Sequence, residues 1–178
     1  RGRLEDMEQR KATDGLVARL REWATAQATL ITRTDEALDS GPLDRRARFT
    51  ARQLGQAQRD LAAAVRQGAT DSPLLESSLV TARALDQVAT IAQDAADVLL
   101  DGRMTVNVSS GQTRVLDMLE AMAAAFADPS AGTGGQFAGA GGAGGADGGA
   151  SSRAGDQNVR LPAVAELQVL RNWQAQLL

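Results

Sequence analysis

The chain contains no histidine, cysteine or tyrosine, so it lacks most of the side chains on which enzymes build a mechanism. Imidazole, thiolate and phenol groups supply the usual general bases, nucleophiles and transition-metal ligands. Without them, a catalytic pair would have to be built from Asp and Glu. We therefore expect a protein that is not an enzyme and that uses neither a cofactor nor a metal ion.

Aromatic residues are also scarce, because only three Phe and two Trp occur among 178 residues. A core must then be built from Leu, Val, Met and Ala. Each buried Ala removes little apolar surface from water, at about 25 cal/mol per Å². Such a core needs long helices or partner contacts to be stable.

Strong positive charge and long apolar runs are missing as well. The formal net charge is −3, and no strongly basic domain face is available to neutralise phosphates, so we expect no nucleic-acid binding. No apolar run approaches the ~20 residues of a transmembrane helix. The chain starts at Arg1 and stops at Leu178 within an amphipathic pattern, so we expect a fragment of a larger protein.

The spacing of apolar residues predicts a first long helix over residues 3–40. Polar Gln27 and Thr34 interrupt its apolar face, which predicts a shallow core at that level. Gly41-Pro42 should end the helix. The face alternates intervals of four and three residues, as in a heptad seam, and consists of Leu16, Leu20, Trp23, Gln27, Leu30, Thr34 and Ala37.

Three further helices follow in the prediction. The second covers residues 44–67 and ends at Gly68. The third covers residues 72–100 and is apolar on two sides, which favours a central position. An extended connector over 104–108 leads to a fourth helix, whose start is indicated by a capping box of Ser109 and Gln112.

The remainder of the chain changes composition. Residues 129–158 hold 11 of the 18 glycines and predict a flexible, low-complexity linker. Residues 159–178 should start a second helical unit. Leu20-Arg21-Glu22-Trp23 matches Leu170-Arg171-Asn172-Trp173, which is either an internal repeat or a chance match.

Charged residues form rows on the second and third helices. Folding these helices into a hairpin near residue 70 should place Arg45 opposite Asp94 or Asp97, and Arg52 opposite Asp86. We expect a charged edge that sets register more than stability, since exposed pairs contribute about 0–1 kcal/mol each. A cation site at the acidic row is the alternative, but such sites need ligands that converge from a shaped loop.

Gln-rich helical seams recur in four segments: Leu20–Leu38, Ala82–Gly102, Gln112–Ala125 and Pro162–Leu178. These segments resemble uncharacterised envelope proteins of planctomycetes and myxobacteria that carry long coiled-coil ectodomains. The resemblance implies a scaffold role and a place in the cell envelope or periplasm.

The fold prediction is all-α: an elongated antiparallel bundle of about four helices over 1–128, a linker over 129–158 and a truncated helical unit over 159–178. The function expected is a structural or scaffold segment of a larger bacterial protein that associates with itself or with a protein partner. The alternative is a bundle that binds a small apolar ligand among Leu20, Trp23, Leu85, Ile91 and Leu119. The residues expected to contact a partner are Leu16, Leu20, Trp23, Leu30 and Trp173.

Overall fold

The computed structural model describes residues 2–39, 44–76 and 78–127, and these residues form an all-α bundle, as predicted. No strand occurs among them. The predicted linker at 129–158, the predicted helix at 159–178 and Trp173 lie outside the described residues. The helices are α1 (Gly2–Asp39), α2 (Arg45–Asp71), the single-turn α3 (Pro73–Glu76), α4 (Leu79–Leu100) and α5 (Val106–Ala127).

The four long helices are joined by short connections, which makes successive helices antiparallel. The most extensive interfaces are those of α2 with α4 and of α1 with α5, and smaller ones join α1 to α2 and α4 to α5. The predicted central position of α4 is therefore wrong, because each long helix has two neighbours. Helix α1 has 38 residues and is about 57 Å long, so the bundle is elongated along it.

The predicted heptad seam of α1 is confirmed as its buried face. Leu16, Leu20, Trp23 and Leu30 are all buried. The hydroxyl of Thr34 donates a 2.8 Å hydrogen bond to the carbonyl of Leu30, which satisfies it inside the core. The core at this level is not shallow, because the polar residues of the seam are as fully buried as the apolar ones.

Helix α2 starts where the sequence indicates and ends later. The carboxylate of Asp44 accepts a 2.8 Å hydrogen bond from the backbone N–H of Ala47 and caps the first turn. The prediction that Gly68 ends the helix is wrong, because α2 continues to Asp71. Gly68 is buried inside the helix, where its missing side chain makes room for Trp23.

The buried face of α2 includes a polar residue. Leu54 and Leu61 are buried, whereas Ala64 is exposed. Gln58 also lies in the core, where its amide finds a hydrogen-bond partner. The buried residues of this helix are Ala51, Leu54, Gly55, Gln58, Leu61, Ala62, Val65 and Gly68.

The predicted third helix is divided into two. A first helical turn does begin at Pro73, but it ends at Glu76, and α4 begins at Leu79. Ser78 caps α4, because its hydroxyl accepts a 3.3 Å hydrogen bond from the backbone N–H of Thr81. The connection between α2 and α4 is consequently longer than the tight turn near residue 70 that the sequence suggested.

Helix α4 ends at Leu100, as predicted, and Gly102 follows it with a φ of 73°, a conformation that favours glycine. The predicted start of the next helix is wrong, because α5 begins at Val106 rather than after Ser109. Ser109 is instead tied to the first helix, where its hydroxyl donates a 3.2 Å hydrogen bond to Asp35. Among the described residues, no helix combines the length and the apolar character that crossing a bilayer requires.

Small side chains allow α2 and α4 to approach each other closely. Buried alanines line α4 where it faces its neighbours. Gly55 of α2 has no side chain at the point where the backbone of α4 passes. The core is therefore built from helix proximity as much as from large side chains, as the scarcity of aromatic residues predicts.

Candidate functional site

The α1 residues predicted to contact a partner are used inside this chain's own bundle. Leu20 is completely buried, and Leu16, Trp23 and Leu30 are nearly so. Trp173 lies outside the described residues. The partner-contacting role of this seam stays a prediction, and it would require α1 to separate from its neighbours.

Three glutamines from three different helices meet in the core. Gln27 of α1, Gln58 of α2 and Gln112 of α5 are all completely buried. The amide of Gln58 donates a 2.7 Å hydrogen bond to the side-chain oxygen of Gln27. Its own oxygen accepts a 3.0 Å bond from Gln112 and a longer 3.4 Å bond from Gln27. We call these three residues the glutamine layer.

One acceptor of the glutamine layer has no partner. The Oε1 atom of Gln112 is buried and accepts no hydrogen bond from any described residue. An unpaired buried acceptor costs about 1–3 kcal/mol. The unpaired acceptor therefore makes the layer costly to bury in an otherwise apolar core. The layer also connects α1, α2 and α5 at one level.

Trp23 packs across the bundle against the backbone of α2. A Cβ atom placed on Gly68 would lie 2.5 Å from both Cζ2 and Cη2 of its indole ring. This contact explains why Trp23 fits within the core. The indole ring of Trp23 occupies the space that the side chain of any residue other than glycine would need at position 68.

The residues suggested for an apolar ligand cavity are packed into the core. Leu20, Leu85 and Leu119 are completely buried and Ile91 is half-buried. Three clefts of the described surface are open grooves. One, between α1 and α5, is lined by Arg21, Ala24, Thr25, Ala28, Glu120, Ala123 and Ala124.

A charged edge does join α2 and α4, in a different register from the predicted one. Arg59, rather than Arg45, contacts Asp97, with 3.1 Å between the guanidinium and the carboxylate. Arg59 lies four turns further along α2 than Arg45, about 21 Å away, because α3 lengthens the connection between α2 and α4. The predicted pairing of Arg52 with Asp86 is also wrong, since Asp86 pairs with Arg83 on its own helix at 2.7 Å.

Asp97 is the acceptor of two hydrogen bonds at this edge. The amide of Gln93 donates to it at 2.9 Å and Arg59 at 3.1 Å. The hydrogen bond from Gln93, followed by that from Arg59, holds the pKa of Asp97 below its ordinary value. Both partners stabilise the ionised form of an exposed carboxylate.

Every Asp and Glu side chain whose burial the structure describes is exposed. Across residues 2–39, 44–76 and 78–127, no group of acidic side chains is arranged to hold a metal ion. The acidic row of α4 therefore borders solvent and the arginines of α2. Three of its carboxylates form ion pairs: Asp97 with Arg59 of α2, Asp86 with Arg83 and Asp101 with Arg103.

The start of α2 carries a surface that differs from the rest of the bundle. We call this surface the basic–aromatic patch, and it consists of Arg45, Arg46, Arg48, Phe49 and Arg52. All five residues are exposed, and Phe49 is 62% exposed.

Comparison with protein-family models, curated proteins and solved structures finds no match to this chain. The class of protein is therefore given by the fold alone, an all-α helical bundle. Any further statement about function depends on the chemistry of its surfaces and core.

The sequence prediction missed two features of this chemistry. It placed Gln27 in the seam but not its partners Gln58 and Gln112, which lie 31 and 85 residues away along the chain. It also treated the arginines of α2 as one stripe and did not single out Phe49. The alternation of Arg with an outward-facing Phe in Arg45–Arg52 is the signal that could have identified the patch.

Proposed function

We propose that this chain is a non-enzymatic structural segment of a larger bacterial protein, and that it acts through helix–helix contacts with itself or with a protein partner. The observation that carries the proposal is the division of the bundle into a tightly packed interior and a charged exterior. Every carboxylate whose burial the structure describes is exposed, whereas an enzyme without His or Cys would need buried, converging carboxylates with shifted pKa values.

The interior supports a rigid spacer. Close contacts at Gly55 and Gly68 leave little room for the helices to move relative to each other, and interiors packed in this way transmit force. The heptad seam of α1 supports coiled-coil-like packing. The resemblance to helical envelope proteins is the support for a place in the bacterial cell envelope.

Size-exclusion chromatography with light scattering on the full chain, over a range of concentrations, tests the proposal. We expect a dimer or larger species whose fraction rises with concentration. Two matched variants, Ala124→Arg on α5 and Ala63→Arg on α2, add the same bulk and charge at exposed positions on different helices. The variant that weakens association identifies the contacting helix.

The alternative function, binding of a small apolar ligand, has a distinct outcome. A chain that stays monomeric at every concentration, and that releases a small apolar molecule in native mass spectrometry, contradicts the scaffold proposal. The clustering of Leu20, Leu85 and Leu119 in one core is what supports this alternative.

A further inference from the structure

The charged groups of the basic–aromatic patch are not used in ion pairs within the described fold. None of its four arginines forms a salt bridge with an acidic residue in the part of the chain that the structure describes. Arg48 contributes only its aliphatic stem to packing, since its Cβ and Cγ atoms lie beside Gly102. Phe49 leaves most of its ring in water.

The position of the patch places positive charge at the start of a helix. The first turn of a helix favours acidic side chains, because the partial positive charge of the unpaired N–H groups repels cations. The first turn of α2 holds no acidic residue, and Arg45, Arg46 and Arg48 lie there instead. The four arginines also repel one another within two turns of one helix.

Some arginines elsewhere in the bundle form ion pairs. Arg59 pairs with Asp97, and Arg83 pairs with Asp86 three residues away, whereas Arg66 has no ion pair among the described residues. The patch differs from the other arginines because it combines four of them with an exposed aromatic ring on two turns of one helix. Arginine and aromatic residues are the types enriched at the energetic centres of protein interfaces.

We propose that the basic–aromatic patch binds an acidic segment of a partner protein, an inference that rests on the proposed function and names the chemistry of the partner. Carboxylates of that segment pair with the guanidinium groups of Arg45, Arg48 and Arg52, in the bidentate geometry that arginine favours. An aliphatic or aromatic side chain between the carboxylates covers the ring of Phe49.

The dimensions of the patch favour a short peptide segment over a long polyanion. From residue 45 to residue 52 the helix rises about 11 Å. Acidic side chains border this length, with Asp44 at the helix cap and Glu36 lining the same groove as Arg46. They would repel a nucleic acid or a flat anionic membrane, whereas a short segment can lie between them.

Fluorescence polarisation of a labelled synthetic peptide with the full chain tests the proposal. The probe is a short peptide in which Glu and Asp residues flank two leucines, and the control peptide carries Gln and Asn in place of the acids. We expect saturable binding of the acidic peptide and no binding of the control peptide. Added salt should weaken the binding of the acidic peptide, because exposed charge pairs are screened.

Charge reversals locate the binding surface. Arg45→Glu and Arg52→Glu should each lower the affinity about tenfold. The bundle should tolerate both, because Arg45 lies in the first turn of α2, where acidic residues are favoured, and Arg52 is exposed. The matched control is Arg66→Glu, which makes the same change at an exposed position near the other end of α2 and should alter the affinity less than about twofold.

Phe49→Ser separates a specific surface from simple charge attraction. This variant should weaken the leucine-containing peptide severalfold and leave a peptide with serine in place of leucine unaffected, since only the former covers the ring. Leu79→Ser, at an exposed residue of α4, is the control and should change neither. Equal losses for both peptides would overturn the role assigned to Phe49.

Three results would overturn the proposal as a whole: no binding of the acidic peptide, binding that survives both charge reversals, or equally tight binding of single-stranded DNA or phosphatidylserine vesicles. Failure here is distinguishable from failure of the scaffold proposal. If the chain self-associates in light scattering but does not bind the peptide, only the partner chemistry is wrong.

Discussion

Gly55 and Leu100 bring the backbones of α2 and α4 into direct proximity. A Cβ atom on Gly55 would lie 2.8 Å from the backbone nitrogen of Leu100 and 3.0 Å from the carbonyl oxygen of Ala96. Backbone atoms of a packed helix cannot rotate away as a side chain can. The contact therefore sets how closely the two helices approach.

Gly55→Ala should destabilise the bundle, because α2 and α4 must separate to admit the methyl group. We expect a loss of about 1–3 kcal/mol in the free energy of unfolding, measured by chemical denaturation. Gly15→Ala is the control, since its added Cβ meets no atom within 4 Å. That variant should gain about 0.5–1 kcal/mol from helix propensity, and a similar gain for Gly55→Ala would contradict the close contact.

Gly68→Ala should also destabilise the fold, here by displacing the indole ring of Trp23. The expected cost is about 1–3 kcal/mol. In a Trp23→Phe background the same change should cost less, because the smaller ring lacks the Cζ2 and Cη2 atoms of the contact. A double-mutant cycle by denaturation would measure this coupling, and additive effects within about 0.5 kcal/mol would argue against the contact.

Gln58→Ala should remove the centre of the glutamine layer and leave the amides of Gln27 and Gln112 unpaired. We expect a loss of about 2–4 kcal/mol in denaturation experiments. Gln53→Ala, at an exposed position of the same helix, should change stability by less than about 0.5 kcal/mol. Replacing all three glutamines with leucine should cost far less than Gln58→Ala alone, since no polar group is then left unpaired.

Asp97 should titrate below its ordinary pKa, which carbon-detected NMR of its carboxyl can measure. Either Gln93→Ala or Arg59→Ala should raise that pKa, because each removes a hydrogen bond to the ionised form. Arg66→Ala should not. The lowered pKa contributes stability when the pH is above the pKa of Asp97 in the unfolded chain. This contribution is lost as the pH falls through the pKa of Asp97 in the folded state.

The sequence was most informative where periodicity alone decides the outcome. The seam from Leu16 to Ala37 follows the heptad spacing and is buried as predicted, apart from partial exposure at Ala37. The sequence was less informative where two distant segments meet. Glycine commonly ends a helix, and nothing in the local sequence shows that α2 continues through Gly68, where Trp23 packs against it.

Register depends on the length of a connection, which local patterns define poorly. The pairing of α2 with α4 differs from the predicted one because residues 72–78 contain a short helix and a separate cap. Gln27 illustrates the same limit in the core. Its polarity suggested a shallow interior. Its hydrogen-bond partners could not be predicted, because they come from helices whose rotation the sequence alone does not determine.

The glutamine layer has a mechanical consequence for the bundle, which would matter if the chain acts as the proposed spacer. Leucine and alanine seams repeat every few residues, so helices joined only by them can slide by one turn and recover most of their contacts. A slip of α1 or α5 past α2 would separate Gln27 or Gln112 from Gln58 and leave their amides in a dry interior. Under axial load the helices should therefore resist sliding until the hydrogen bonds of the glutamine layer break, and the bundle should then yield abruptly.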